Sequence, residues 1–340
     1  MRTTLLPNPG RRRCLAGLPL LATAMFVKPA LADPGVKQYS RMLLGTKVDI
    51  VVQSDATTAA ESASRMAFAE MARLEQLMSR YRPDSQISAL ARAAGRNPVP
   101  VAPELMAILQ SAKQMSLRSQ GAFDITVGAY AGWDFDPAHS RIPSPVELAS
   151  ERQLVDYRDI VLDERRGTAY LRRPGMKLDL GGIAKLPILQ AGLEVLRRNG
   201  HHNAMINGGG DVLVSGQLQG RNWRVGLRDP RTPERLLGVV ALSDGIVASS
   251  GDYERCFVRD GHRYHHILDP RTGQPSQGPH GVALVANRQE AVNGLGAAIM
   301  VGGVARGQKW LDAQPGVDAL IVPPGQSPWL SAGMAARLSV

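Results

Sequence analysis

Beyond Val161 the chain breaks into short strand-like runs, with too few helices among them to alternate one for one. The runs are Thr168–Leu171, Ala204–Ile206, Asp211–Val214, Trp223–Leu227, Val239–Leu242 and Val282–Val285. Only two helical patterns interrupt them, about Ile188–Arg198, stopped by Asn199-Gly200, and about Glu290–Met300. A parallel sheet needs a crossover, usually a helix, between successive strands, so this pattern predicts an α+β fold rather than a doubly wound one. Ahead of that region Val48–Val52 reads as a strand. Ala63, Ala67, Met71, Leu74 and Met78 then keep helical spacing behind Asp55 as a cap. A second helix starts at Pro103 and carries Leu105, Ile108, Leu109, Ala112 and Met115 on one face, whereas residues 132–147 are turn-rich. No repeat or linker-like stretch divides residues 33–340, and the length allows one large domain or two intertwined ones.

Residues 1–32 stand apart. Arg11-Arg12-Arg13 precedes an apolar run from Leu15 to Val27, and Ala30-Leu31-Ala32 follows. That is the order of a secretory signal cleaved after Ala32. The run is too short to span a bilayer. Both an ordinary signal and a twin-arginine signal fit the paired arginines. Cys14 lies before the apolar run, not after it, so it cannot be a lipid anchor, and the expectation is a soluble periplasmic chain. Removing this segment leaves Cys256 without an intrachain partner. It also takes five of the 40 basic residues and none of the 30 acidic ones, leaving a basic excess of five. With no basic helix or aromatic-interleaved patch, that excess does not indicate nucleic acid. It suits a polyanionic small molecule or simply a solvated surface.

Several polar clusters remain, and each alone also reads as an ordinary capped turn. They are Ser79-Arg-Tyr-Arg-Pro-Asp-Ser85, Gly121-Ala-Phe-Asp124, Asp179-Leu-Gly-Gly-Ile-Ala-Lys185, Asn207-Gly-Gly-Gly-Asp211, Ser250-Gly-Asp-Tyr253 and His265-His-Ile-Leu-Asp-Pro-Arg-Thr-Gly273. The third leads from a strand through two glycines into a helix, a geometry suited to phosphate. The fourth lacks the Rossmann spacing and a Walker lysine.

In this order the clusters resemble the FAD:protein FMN transferases, the ApbE family, over roughly residues 40–325. The resemblance implies a compact module of two intertwined lobes with FAD in the cleft between them. It implies a divalent metal, usually Mg2+, and transfer of FMN to a threonine or serine of a partner protein with release of AMP. The partner would be a flavin-accepting redox protein or membrane redox complex. By the same resemblance FAD contacts fall on Leu44, Tyr81, Ala122, Phe123, Asp124, Asp179, Lys185 and Leu268. His266 would relay a proton or neutralise phosphate, or else be a hydrogen-bonded structural histidine. The metal position falls on Gly182, Asn293, Gly296 and Ala297.

The chain departs from the family pattern at that metal position. Asn293 and Ala297 stand where the family presents an aspartate and a threonine, read as one face of a single helix. A hard cation thereby loses a charged ligand and a hydroxyl, with Asp252 or Asp269 as candidate replacements. Leu186-Pro187 follows Lys185 where the family continues with glycine, and the leucine is expected to crowd the phosphate approach. Gln190 replaces an aspartate the family often carries. These departures leave two expectations: a flavin transferase with a weakened metal site, or a non-catalytic carrier holding FAD for a redox partner.

Overall fold

The computed structural model describes residues 35–339; the expected signal segment and its cleavage site lie outside the described residues. Among the described residues no helix is long and apolar enough to cross a membrane.

The centre is an eight-stranded sheet in which every neighbouring pair is antiparallel. Its strands are Val36–Leu43, Thr46–Gln53, Ala204–Gly208, Asp211–Ser215, Gly245–Gly251, Gly281–Ala286, Asp318–Val322 and Trp329–Leu330, and they lie in space in the order in which the sequence gives them. The α+β expectation therefore holds, as a meander whose connections have been lengthened into insertions. The longest insertion, between Gln53 and Ala204, carries the helices Thr57–Met78, Gln86–Ala93, Pro103–Arg118 and Lys185–Arg198, together with a three-stranded sheet of Val99–Pro100, Thr168–Leu171 and Ile160–Asp163. This insertion and the sheet are the two intertwined lobes of one module.

Side chains of alternate residues leave a strand on opposite faces, and here both faces are covered. Val48, Ile50, Val52, Leu213, Ile246, Val282, Leu284 and Ile321 pack beneath the helices. Val51, Val212, Val214, Val247, Ala283, Val285, Leu320 and Val322 pack against the hairpin of Trp223–Asp229 and Thr232–Leu242. Burial on both faces explains why these strands read as continuous apolar runs.

Three local expectations need correction. Asp55 is not the cap of the first long helix, which begins at Thr57 with Ala56 at the N-cap and no side-chain bond there. The helix expected from Ile188 begins at Lys185, immediately after the glycine turn. The helix expected over Glu290–Met300 is two pieces, Gln289–Val292 and Leu295–Gly302. Asn293 has extended ψ (120°) and Gly294 has φ +76°, so the backbone turns between them. A β-carbon on Gly294 would approach Met115 Cγ to 3.1 Å in a left-handed conformation, which makes glycine the residue that permits the break.

Candidate active site

The floor of the cleft is built by two segments that hydrogen-bond to each other. Asp179 N–H donates to the Ile125 carbonyl (2.7 Å), so the Gly121–Asp124 cluster and the Asp179–Lys185 turn lie side by side. Ala122, Phe123 and Asp124 are buried. Asp124 caps the short 3-10 turn Ile125–Ala129, with one oxygen accepting from Thr126 N (2.8 Å) and Thr126 Oγ1 (2.6 Å) and the other from Tyr157 N (2.9 Å). Burial pushes its carboxyl up to about 6 against these three donors. The Asp124 oxygens thus organise the floor. Phe123 is the part nearest the glycine turn: a β-carbon on Gly182 would lie 3.2 Å from Phe123 Cε2 and 3.6 Å from Ala297 Cβ.

Asp179 holds the turn from the other side, accepting from Gly181 N–H at 2.8 Å and from Arg80 Nη1 at 2.6 Å. Lys185 opens the following helix, and its ammonium lies 3.3 Å from Asp211 Oδ2. The other Asp211 oxygen accepts from Ser249 N at 2.9 Å, which fixes the carboxylate that orients the lysine. Leu186 turns into the main core and is buried, so it does not crowd the cleft. Pro187 lies in the first turn, where its missing N–H costs no intrahelical bond.

The facing wall comes from the insertion between Gly251 and Gly281, with the hairpin Cys256–Arg259 and His262–His265. Stacked Phe257 and Tyr264 (5.2 Å) meet the stacked pair Trp133 and Phe135 (5.4 Å) from the turn-rich segment. Trp133 Nε1 donates to the Gly273 carbonyl and Tyr130 Oη to that of Pro270, both at 2.8 Å, so the loop after His266 is fixed from below. His266 N–H donates to the Arg255 carbonyl at 3.1 Å, while its ring Nδ1 is enclosed with no hydrogen-bond partner among the described residues. Burial, with the positive charges of Arg255, His265 and Lys185, pushes the imidazole down to about 3, so it is neutral at ordinary pH. Leu268, partly buried, forms an isolated bridge with Pro275.

Tyr81 is exposed above the Gly turn, with the Arg80 guanidinium 5.5 Å over its ring and Arg255 Nη2 3.4 Å from its hydroxyl. Leu44 sits in the two-residue turn Leu44-Gly45 at φ +57°, its N–H bonded to Glu75 Oε1 at 2.9 Å. Sequence reasoning missed Arg80 and Arg255. Both sit inside or directly beside clusters it had marked, and their spatial partners are what single them out.

The four groups of the expected metal position do converge in part. Gly182 faces Ala297, and Gly296 packs on Ser250, whose Oγ would lie 2.7 Å from a β-carbon there. Asn293 is buried (7% exposed), and its backbone N–H donates to the Gln289 carbonyl at 2.9 Å. The helix break means that Asn293 and Ala297 do not share a helical face as the i,i+4 spacing implied. Neither proposed substitute carboxylate is free. Asp252 is held by Arg263 Nη1 and His280 Nδ1, both at 2.7 Å, and Asp269 by Arg271 at 2.8 Å. Among the described residues no three His, Cys, Asp or Glu side chains gather to hold a metal ion. A donor set of two carbonyls and one amide, with no carboxylate, does not fit a resident hard divalent cation.

A family model described as the ApbE family matches residues 44–321. A FAD:protein FMN transferase of Klebsiella pneumoniae (strain 342) is 30% identical over 91% of this chain and 96% of its own length. One from Treponema pallidum (strain Nichols) is 33% identical, covering 90% of each chain. Among solved structures, the ApbE protein of Thermotoga maritima MSB8 superposes with a TM-score of 0.81 at 29% identity, over 90% of this chain and 100% of that one. The flavin transferase ApbE from Vibrio cholerae shares the fold at a TM-score of 0.76 and 24% identity, over 89% and 99%. The chain belongs to the ApbE family, a family of enzymes.

Proposed function

We propose that this chain binds FAD in the cleft between its lobes and transfers FMN to a serine or threonine hydroxyl of a partner protein. The acceptor oxygen bonds to the FMN phosphorus as the anhydride bond to AMP breaks, AMP leaves, and the hydroxyl proton needs an acceptor. The observation that carries this reading is His266, a neutral imidazole with an enclosed, unpartnered Nδ1 on the wall facing Lys185 and the Gly181-Gly182 turn. Helix-start amides and a lysine favour phosphate oxygens. A bound pyrophosphate would offset the cations that depress the imidazole, raising its basicity where the proton must go. Incubating the purified chain with FAD and a flavin-accepting redox protein should release AMP and leave flavin covalently bound. FAD binding without either product, under any metal condition, refutes the transfer step.

A second reading is favoured by the neutral metal position. With Asn293 and Ala297 in place of a carboxylate and a hydroxyl, the chain would hold FAD without cleaving it, as a carrier for a redox partner. AMP release decides between the two. In both readings the protein is exported and soluble, on the strength of the signal-like residues 1–32. Exported material still beginning near Met1 would refute cleavage after Ala32.

A further inference from the structure

The groups at the family's metal position are uncharged here, whereas two cations of the site, Lys185 after the glycine turn and Arg255 beside Tyr81, have donors to spare. Lys185 commits one contact to Asp211 at 3.3 Å, and an ammonium has three donors. Arg255 has, among the described residues, one long side-chain contact, 3.4 Å to the Tyr81 hydroxyl, out of five guanidinium donors. Neighbouring arginines are committed: Arg80 to Asp179, Arg263 to Asp252 and Arg271 to Asp269. Arg255 and Lys185 are tied into one frame. Arg255 accepts from His266 through its carbonyl, and its guanidinium reaches Tyr81, whose neighbour Arg80 grips the Asp179 turn that leads into Lys185. The enclosed Nδ1 of His266 adds a polar atom with no partner to the same wall.

We propose that Lys185 and Arg255 take up the charge of the FAD pyrophosphate in this chain, so that FAD is held without a divalent cation. This rests on the FAD-binding reading above. The pyrophosphate linkage carries two negative charges. Arg255 meets it with a charge that no carboxylate contacts among the described residues, and Lys185, paired with Asp211, meets it with its remaining ammonium donors. A guanidinium fork adds a bidentate fit that a point charge lacks. A divalent ion placed among Gly182, Asn293, Gly296 and Ala297 would find no carboxylate in that set.

The test is calorimetric titration of the mature chain with FAD, once in EDTA and once in millimolar magnesium. Wild-type dissociation constants should agree within about twofold. Arg255→Ala and Lys185→Ala should each weaken FAD about tenfold or more in both buffers, the loss expected of a charge-assisted contact. Arg255→Lys should recover part of that loss, and circular dichroism checks that the variants fold. Asn293→Asp combined with Ala297→Thr should create magnesium dependence where the wild type has none. A tenfold loss of wild-type affinity in EDTA, or an Arg255→Ala variant that binds as well as the wild type, overturns the proposal. Failure to bind FAD in either buffer sinks the flavin reading itself, whereas magnesium-dependent binding sinks only this assignment of charge.

Discussion

Arg80 and Asp179 are 99 residues apart in sequence and joined by a 2.6 Å charge-assisted hydrogen bond at the mouth of the cleft. The second oxygen of Asp179 holds Gly181 N–H, so one carboxylate sets both the position and the shape of the glycine turn. Both side chains are part-exposed, so the ion pair itself contributes little to stability. Its consequence lies in binding. Asp179→Ala should weaken FAD about tenfold or more by releasing the turn. Asp179→Asn keeps an acceptor for Gly181 and should lose less. Calorimetry showing unchanged affinity in Asp179→Ala would mean the phosphate site lies elsewhere.

Asp124 makes stability depend on pH. Its folded carboxyl is raised from 3.8 to about 6, with burial the largest cause and Asp156 adding to it. A raised folded value means the native state binds the proton more tightly, so this stability term is fully present below about pH 4 and is lost as pH rises through 6. The whole swing is about 3 kcal/mol. Asp124→Asn should destabilise, since its amide cannot accept from both Thr126 and Tyr157. The gap between wild type and variant in urea unfolding should widen from pH 7 to pH 4. A gap that stays constant with pH removes Asp124 as the titrating group.

Leu186 gives a sharper test of where the helix start faces. Its side chain is 5% exposed and belongs to the main core. Leu186→Ala should therefore cost about 2–4 kcal/mol of unfolding free energy and leave FAD affinity within about twofold of wild type. Tighter FAD binding in that variant would restore the view that the leucine obstructs phosphate.

Much of this was legible in the sequence because it depends on local chemistry. Thr168–Leu171 and the helix from Pro103 fall where periodicity and turn residues put them. The strand expected ahead of Asp179 is absent, the last strand before it ending at Leu171, so an irregular turn leads into the helix at Lys185. What periodicity hid was the break at Asn293-Gly294: Val292, Leu295, Ala298 and Ile299 are all buried, so the apolar pattern runs straight through a turn that only the glycine φ reveals. Arg80 and Arg255 were missed for a different reason. Arginines are common on surfaces, and their meaning here lies in Asp179, Tyr81 and the His266 backbone, partners distant in sequence. The orientation of Leu186 depended on helix phase at its first turn, which boundaries read from sequence do not fix.

His266 carries the last prediction. Its imidazole is held near 3, below the ordinary 6.5, by burial first and then by Arg255, His265 and Lys185. A lowered folded value means the neutral form is favoured, so kcat/KM for FAD should show no acid limb near 6.5 in the free enzyme. As pH falls from 6.5 towards 3 the same shift should erode stability, because the unfolded chain protonates first. His266→Asn should remove that erosion. It should also cut AMP release by about 10²–10⁴-fold, the usual contribution of a positioned proton acceptor, while FAD affinity stays within about threefold. Two outcomes would overturn this role. If the variant releases AMP at the wild-type rate, the proton goes elsewhere. If FAD binding and AMP release fall together by the same factor, His266 is a binding group for phosphate, and the proton must leave through solvent or the acceptor protein.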